Sequence, residues 1–240
     1  MIKRLSVKNH ETIAKDTFAL VLKGAPPHKP GQFINITVPG EHFLRRPFSI
    51  ADQEGDEILV IYKVFGSGTQ ALSEVKIGET LDCLTCLGNG FGMTKHKHVY
   101  LIGGGVGIPP LYYLAKALKK HAIDVTMVLG FNTEADCFLI EAFETLGTVI
   151  VATLDGSRGI QGTVLEGLKD HTVNYYYAVG PNPMLKALTS IYKDGEVSLE
   201  ERMGCGFGAC MGCSIKTKHE PKRVCKEGPV FKVEELVWKT

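Results

Sequence analysis

No stretch of the 240 residues stays apolar for the 18 or so positions that a spanning helix needs, so no membrane insertion is expected. The opening residues, MIKRLSVKNHETIAKDTFAL, lack the apolar core and small-residue cleavage site of a signal peptide. Neither sign of charge dominates: 27 Lys and Arg against 26 Asp and Glu leave a net charge of +1. No basic run carries interleaved aromatics, so no nucleic acid partner is expected. The patterns G-x-S-x-G, H-E-x-x-H and G-x-x-x-x-G-K-S/T are all missing, and the eight histidines show no metal spacing. These absences argue against hydrolytic and phosphotransfer chemistry. There is also no internal repeat and no low-complexity linker.

What is present is an ordinary globular composition, 44% hydrophobic and 22% charged, in a chain long enough for two compact units and an appendage. Seven cysteines are an odd count, and four crowd towards one end. A disulfide framework would spread pairs through a small scaffold, so metal-bound thiolates in a cytoplasmic setting are expected.

Residues 1–93 read as short strands. FALVLKG, QFINITV, FSIADQ, EILVIYKV and ETLDCLT are separated by Gly- and Pro-rich turns, the rhythm of an antiparallel barrel or sandwich. Residues 94–195 change period. HVYLIGG is a buried-strand pattern, and PPLYYLAKALKKH repeats Leu111, Leu114, Ala115 and Leu118 at helical spacing. DVTMVLGF, CFLIEAFETLG, TVIVATLDG, TVLEGLKDH, YYYAVGP and NPMLKALTSIYKD continue the alternation. It predicts a doubly wound parallel sheet with helices on both faces. From 196 to 240 the chain is expected to leave the core, being too rich in cysteine and glycine.

Three turns of the second unit carry candidate ligand groups. LIGGGVGIPPL places Gly103, Gly104, Gly105 and Gly107 between a strand and a helix, where backbone can approach a pyrophosphate. AVGPNPML adds Gly180 and Pro181 at a second strand end. ATLDGSRG offers Asp155 for a ribose diol, or Arg158 for a 2′-phosphate. Each also reads as a plain turn. In the first unit, RRPFSI sets Arg46 three residues before Ser49. Strict alternation separates these side chains, so joint binding calls for a bend near Pro47 or for backbone contacts. The turn GSGT (66–69) offers free backbone N–H groups.

GCGFGACMGC packs three cysteines and four glycines into residues 204–213, and Cys225 follows. The spacing Cys205-x4-Cys210-x2-Cys213 with a distant fourth cysteine matches the plant-type pattern for a 2Fe-2S cluster. Gly206, Gly208 and Gly212 let the loop wrap tightly around it. Zinc is the rival ligand, although its sites usually present two short Cys pairs. Cys83, Cys86 and Cys137 read as structural.

In this order the motifs PGQF, RPFS, GSGT, GNGF, GGGVGIPPL and GPNPML resemble the ferredoxin–NADP reductase superfamily. The tail ERMGCGFGACMGC…RVCKEGPVF is similar to its iron–sulfur branch, the electron transfer subunits of NAD-type dihydroorotate dehydrogenases. The resemblance implies an FAD-binding barrel (1–93), an NAD-binding α/β domain (94–195) and a 2Fe-2S subdomain (196–240). It implies FAD held by Arg46, Pro47, Phe48, Ser49, Tyr62, Lys63, Val64, Gly68 and Thr69, and the cluster held by Cys205, Cys210, Cys213 and Cys225. It implies no catalytic side chain, since FAD carries the chemistry. A partner subunit with FMN, in a two-plus-two heterotetramer, would oxidise dihydroorotate. Electrons would pass through the cluster and FAD to NAD+ in pyrimidine (UMP) biosynthesis. A related subunit linking NAD(P)H to ferredoxin, sulfide or a hydrogenase shares these motifs, and a zinc-stapled binding module is the non-enzymatic alternative. Two positions depart from the family pattern: Cys86 stands at a usual proline, and Leu154 at a usual acidic residue, which leaves NADP open beside NAD.

Overall fold

The computed structural model describes residues 1–238. The first unit contains β1 (Ile2–Ala14), β2 (Thr17–Lys23), β3 (Phe33–Ile36), β4 (Arg46–Glu54), β5 (Glu57–Lys63), the short helix α1 (Ser67–Ser73) and β6 (Thr80–Leu87). The strands close into a barrel in the order β1-β2-β5-β4-β3-β6, all neighbours antiparallel. Leu5, Leu20, Leu22, Ile34, Ile36, Ile50, Ile58 and Val60 fill it and are fully buried. Strand β1 was not expected from the sequence. Over most of its length it buries little, with only Leu5 and Val7 inside, so alternation gives almost no signal.

The path of β4 and β5 matters most for function. Gly55, at φ +59°, turns the chain tightly between them. They pair from Ile50/Val60 to Glu54/Glu57, with an irregularity between Ile50 and Asp52. Beyond that point they part. Residues 46–49 stay paired with β3 alone, and 61–63 with β2 alone. The disruption therefore falls near Ala51 and not at Pro47, where the β3–β4 register is regular.

The second unit contains β7 (His98–Gly104), α2 (Pro109–Lys120), β8 (Asp124–Phe131), α3 (Ile140–Glu144), β9 (Thr148–Thr153), β10 (Ile160–Gln161), β11 (Tyr176–Val179), α4 (Asn182–Ile191) and β12 (Gly195–Ser198). Its seven-stranded sheet runs β10-β9-β8-β7-β11-β12-β15, parallel except for the edge strand β15 (Val230–Lys232). Two expected helices are short: CFLIEAFETLG keeps only α3, and TVLEGLKDH only a 3-10 turn at Glu166–Leu168. The expected boundary at 195/196 falls inside β12, whose residues are all buried, so VSL belongs to the core. The cysteine-rich segment is thus an excursion between two strands of one sheet, with β13 (Ser214–Ile215) and β14 (Lys222–Arg223) as its own small ladder.

The units are packed together. Ala19, Ala51, Ile61 and Phe91 of the first share a core with α2 and the sheet. Phe33 and Leu87 share another with Cys213, Val224, Cys225 and Phe231. Lys116 of α2 pairs with Asp52, and Tyr113 donates to the His28 carbonyl at 3.0 Å. None of the described helices is long and apolar enough to cross a membrane.

Candidate cofactor sites

Where β4 and β5 part, they leave a cleft of about 240 Å³. Arg46, Pro47, Phe48 and Ser49 line one side, and Ile61, Tyr62 and Lys63 the other. Phe65, Thr69, Val106 and residues 198–201 close it, together with Met203 and Pro229. The parted strand edges carry no ladder partner on the cleft side, so backbone polar groups are available to a ligand. Arg46 reaches the cleft from the end of β4, with its guanidinium over Gly68; a β-carbon there would stand 2.9 Å from Nε. Thr69 Oγ1 accepts the N–H groups of Phe65 and Gly66 and fixes the turn entering α1.

Tyr62 is held from behind. Its ring stacks on Phe18 at 5.7 Å and meets Phe48 at 5.5 Å. His10 Nδ1–H donates to the Val75 carbonyl (2.8 Å), so its Nε2 accepts the Tyr62 hydroxyl at 2.9 Å. Burial pushes the Tyr62 hydroxyl well above the usual tyrosine range, so it stays protonated as a donor. Lys63 contributes its stem but not a free charge, because Nζ pairs with Asp136 at 2.7 Å across to the second unit. Val64 lies off the cleft and packs on the barrel core.

A second cavity, about 690 Å³, opens at the carboxyl ends of the parallel strands. The chain runs outward from β7 to β8 and β9, then crosses to β11 on the other side, which puts a topological switch point beside β7. Gly104, Gly105, Gly107, Gly180 and Pro181 line this cavity. The two turns touch: a β-carbon on Gly107 would sit 2.7 Å from the Gly180 Cα. Gly105 adopts φ +51° with open space around it, as close ligand approach requires. Gly103 serves packing instead, with Ile108 2.6 Å from a would-be β-carbon. Asp155 is not among the lining residues; its Oδ1 accepts the Ser157 N–H and hydroxyl, and Leu154 faces the cavity. Arg158 lies 3.6 Å from Glu141. Lys63, Phe65, Val106 and Glu200 line both cavities, so the two share a wall.

The four cysteines stand as two pairs. Cys205 Sγ accepts the N–H groups of Ala209 (3.2 Å) and Cys210 (3.4 Å), while Cys210 Sγ accepts the Cys205 N–H at 3.4 Å. Cys213 and Cys225 are buried with sulfurs 3.2 Å apart. Burial opposes the Cys205 thiolate, but the N–H groups of Cys210, Phe207 and Ala209 outweigh it and hold this thiol down at about 6. Burial, and then the Cys213 thiol, push Cys225 up to about 12, so it gives up its proton only to a compensating cation. Among the described residues no three of His, Cys, Asp or Glu close on one metal-sized point. A pairwise set of thiols suits two irons taking two each better than a single tetrahedral ion.

The loop is clasped by Arg223. Its Nη1 donates to the Gly208 carbonyl (2.5 Å), and Glu227 braces the guanidinium. On the barrel side lies Asn35, absent from the sequence-based candidates. Its Oδ1 is buried with no hydrogen-bond partner, which costs about 1–3 kcal/mol. Its Nδ2 fills the place of a β-carbon on Gly206, 1.8 Å away, and Gly206 has φ +75°. An orphaned amide against a glycine that accepts no side chain fits a cage meant to receive a group with its own hydrogen-bonding atoms. Phe33, Asn35 and Met203 escaped notice because each resembles ordinary strand or loop residues, and only the fold brings Phe33 and Met203 to the cleft and Asn35 against the loop.

A barrel joined to a switch-point cavity across a shared wall defines a ferredoxin-reductase-like flavoprotein. The chain is similar in fold to a solved NADH-dependent reduced ferredoxin–NADP oxidoreductase, with a TM-score of 0.87 and 31% identity, covering 98% of this chain and 90% of that one. Residues 200–237 match the iron–sulfur cluster binding domain of dihydroorotate dehydrogenase B. Named relatives span the whole length. The dihydroorotate dehydrogenase B (NAD(+)) electron transfer subunit of Shouchella clausii is 41% identical, over 98% of this chain and 97% of its own. That of a Geobacillus species is 42% identical, over 98% of each. The chain belongs to the family of dihydroorotate dehydrogenase B electron transfer subunits.

Proposed function

We propose that this chain relays electrons from a dihydroorotate-oxidising partner subunit to NAD+, through a 2Fe-2S cluster and FAD, in pyrimidine biosynthesis. The observation that carries the reading is continuity: Met203 lines the barrel cleft and Cys205 follows two residues later, while Phe33 lines that cleft and packs with Cys213 and Cys225. Cluster, cleft and nucleotide cavity therefore stand in series. When bound, the cluster supplies single-electron relay and FAD the conversion between single electrons and a hydride pair.

The chain positions these groups. Arg46 offers charge to the FAD phosphates, Thr69 shapes the turn beside them with its hydroxyl donated to the Gly66 carbonyl, and Pro47, Phe48, Ser49 and Tyr62 take the ring system along the parted strand edges. Gly68 leaves room for the Arg46 guanidinium. The wall of Lys63, Phe65, Val106 and Glu200, shared by the two cavities, is where nicotinamide and flavin would meet. Gly104, Gly105, Gly107, Gly180 and Pro181 receive the NAD pyrophosphate. NAD is favoured over NADP because the relatives' names specify NAD(+), and Arg158, the group suited to a 2′-phosphate, is not among the residues lining the nucleotide cavity. Cys205, Cys210, Cys213 and Cys225 hold the cluster. The exposed Phe207 and Met211 beside Cys210 offer apolar contact to the partner, an FMN protein in a two-plus-two assembly. All seven cysteines are unbridged, in keeping with a cytoplasmic setting.

A second reading has its own support. The ferredoxin-linked oxidoreductase structure matches 98% of the chain at 31% identity. The deciding experiment is co-purification with an FMN-containing dihydroorotate dehydrogenase subunit, followed by an assay of dihydroorotate-dependent NAD+ reduction. The proposal expects a stable complex and NADH formation. Failure to associate, with ferredoxin-dependent turnover instead, would replace it by the second reading. A colourless protein containing zinc and no flavin would overturn both.

A further inference from the structure

We infer that Asn35, a barrel residue, is a positioning residue for the iron–sulfur cage, and that its carboxamide raises the reduction potential of the cluster. The inference rests on the reading that the four cysteines carry a 2Fe-2S group. Strand β3 alternates inward and outward: Ile34 and Ile36 enter the barrel core, whereas Phe33 and Asn35 face out. An outward polar residue on such a strand normally meets water. Asn35 meets the cluster loop, and only 1% of its surface is exposed.

Two independent observations show that the carboxamide is built in. Oδ1 has no hydrogen-bond partner although it is fully buried. Nδ2 occupies the space a β-carbon at position 206 would need, with Gly206 in a left-handed conformation directly after the ligand Cys205. The strand itself offers no relief. Asn35 stands opposite Pro47, which has no N–H, and the β3–β6 register is irregular between Phe33 and Asn35. A buried amide without protein partners, held against a ligand loop, is suited to atoms that the loaded loop brings. In the loaded loop, thiolate and sulfide sulfurs would accept from its N–H groups, and loop N–H groups turned by cluster binding would reach the Oδ1 that is unpartnered here.

The expected consequence is electrostatic. Reduction adds a negative charge to the cluster, and N–H groups aimed at its sulfurs favour that form. Arg223 clasps the loop through the Gly208 carbonyl, so Asn35 secures the opposite flank. Because β3 also contributes Phe33 to the barrel cleft, the same strand fixes cluster and flavin relative to each other.

The test uses the full chain purified anaerobically, as wild type and as Asn35→Leu, Asn35→Asp and Asn35→Ser. Iron, acid-labile sulfide and FAD per chain are measured first. A mediated redox titration followed by electron paramagnetic resonance comes next, then pulsed resonance on protein labelled with ¹⁵N-asparagine. In Asn35→Leu, FAD content stays at the wild-type level and the reduced-to-oxidised ratio at a fixed potential falls about tenfold, a shift of ~59 mV for one electron. Asn35→Asp falls further, Asn35→Ser recovers part of the loss, and a weak nitrogen coupling in wild type disappears from all three. If Asn35→Leu fails to assemble a cluster, Asn35→Asp and Asn35→Ser decide by the same readout. Unchanged potential and unchanged coupling in the variants would overturn the inference while leaving the cluster reading intact. A wild type without any 2Fe-2S signal would overturn the cluster reading and this one with it.

Discussion

The barrel cleft is walled by strands whose registers are fixed by a filled hydrophobic core, whereas the cluster loop has a two-stranded ladder of two residues each and little else that is regular. In the cleft, Arg46, Ser49 and Tyr62 are set by β4 and β5 before any ligand arrives. In the loop, order comes from the Arg223 clasp, the Cys213–Cys225 contact and glycines at φ +75° and +91°. The contrast teaches that the proposed flavin site is preorganised by folding, while the proposed cluster site is expected to be completed by its own metal.

That contrast can be broken by substitution. The largest effect is expected for Cys210→Ala: the visible and paramagnetic cluster signals should vanish while FAD stays bound at one per chain, measured on the same sample. Loss of flavin along with the cluster would show that the sites are not separately built. Next is Arg46→Ala, where losing a charge-assisted contact should weaken FAD on the order of 10- to 100-fold with cluster content untouched. Equilibrium dialysis against free FAD gives the number, and unchanged retention would remove the role assigned to Arg46.

A smaller effect is expected for Gly206→Ala. A β-carbon at this left-handed position costs about 1–2 kcal/mol and also displaces Asn35. Cluster lifetime in air should shorten and FAD affinity hold; equal lifetimes would mean that the loop adapts freely. The smallest effect concerns the barrel alone. His28 is neutral, with Nε2 accepting the Cys86 N–H at 3.1 Å, and burial lowers its pKa below 6.5. A folded pKa below the unfolded one means that the His28 contribution is complete above 6.5 and is lost as pH falls through the lower folded value. Between about pH 7 and about pH 5, wild type should therefore lose more stability to urea than His28→Gln, by under about 1.4 kcal/mol per pH unit. Parallel losses would exclude His28.

The two sites also differed in how far the sequence disclosed them. The proposed cage could be read from the sequence because thiolate ligands need fixed residue types at fixed spacing, and Cys-x4-Cys-x2-Cys with a distant fourth cysteine matches the plant-type pattern. The glycine turns at 103–107 and 180 were legible for the same reason, although Gly103 proved to serve helix packing. Strand β1 was hidden by its sparse burial, and β12 by its neighbours, since a four-residue buried run beside a cysteine-rich loop has no period of its own. Arg46 and Ser49 were named, but what brings them to one cleft is the parting of β4 from β5, a property of register that no local pattern carries. Asn35 was invisible because a polar residue at an outward strand position predicts solvent, and only tertiary packing puts the cluster loop there.

The measurement that most directly tests the series arrangement is an anaerobic titration of the isolated chain with NADH, followed by visible absorption and electron paramagnetic resonance. The arrangement predicts flavin bleaching followed by a reduced 2Fe-2S signal in the same chain, and flavin bleaching alone in Cys210→Ala. A cluster that stays oxidised while the flavin is fully reduced, yet accepts electrons from dithionite at potentials within reach of NADH, would contradict it.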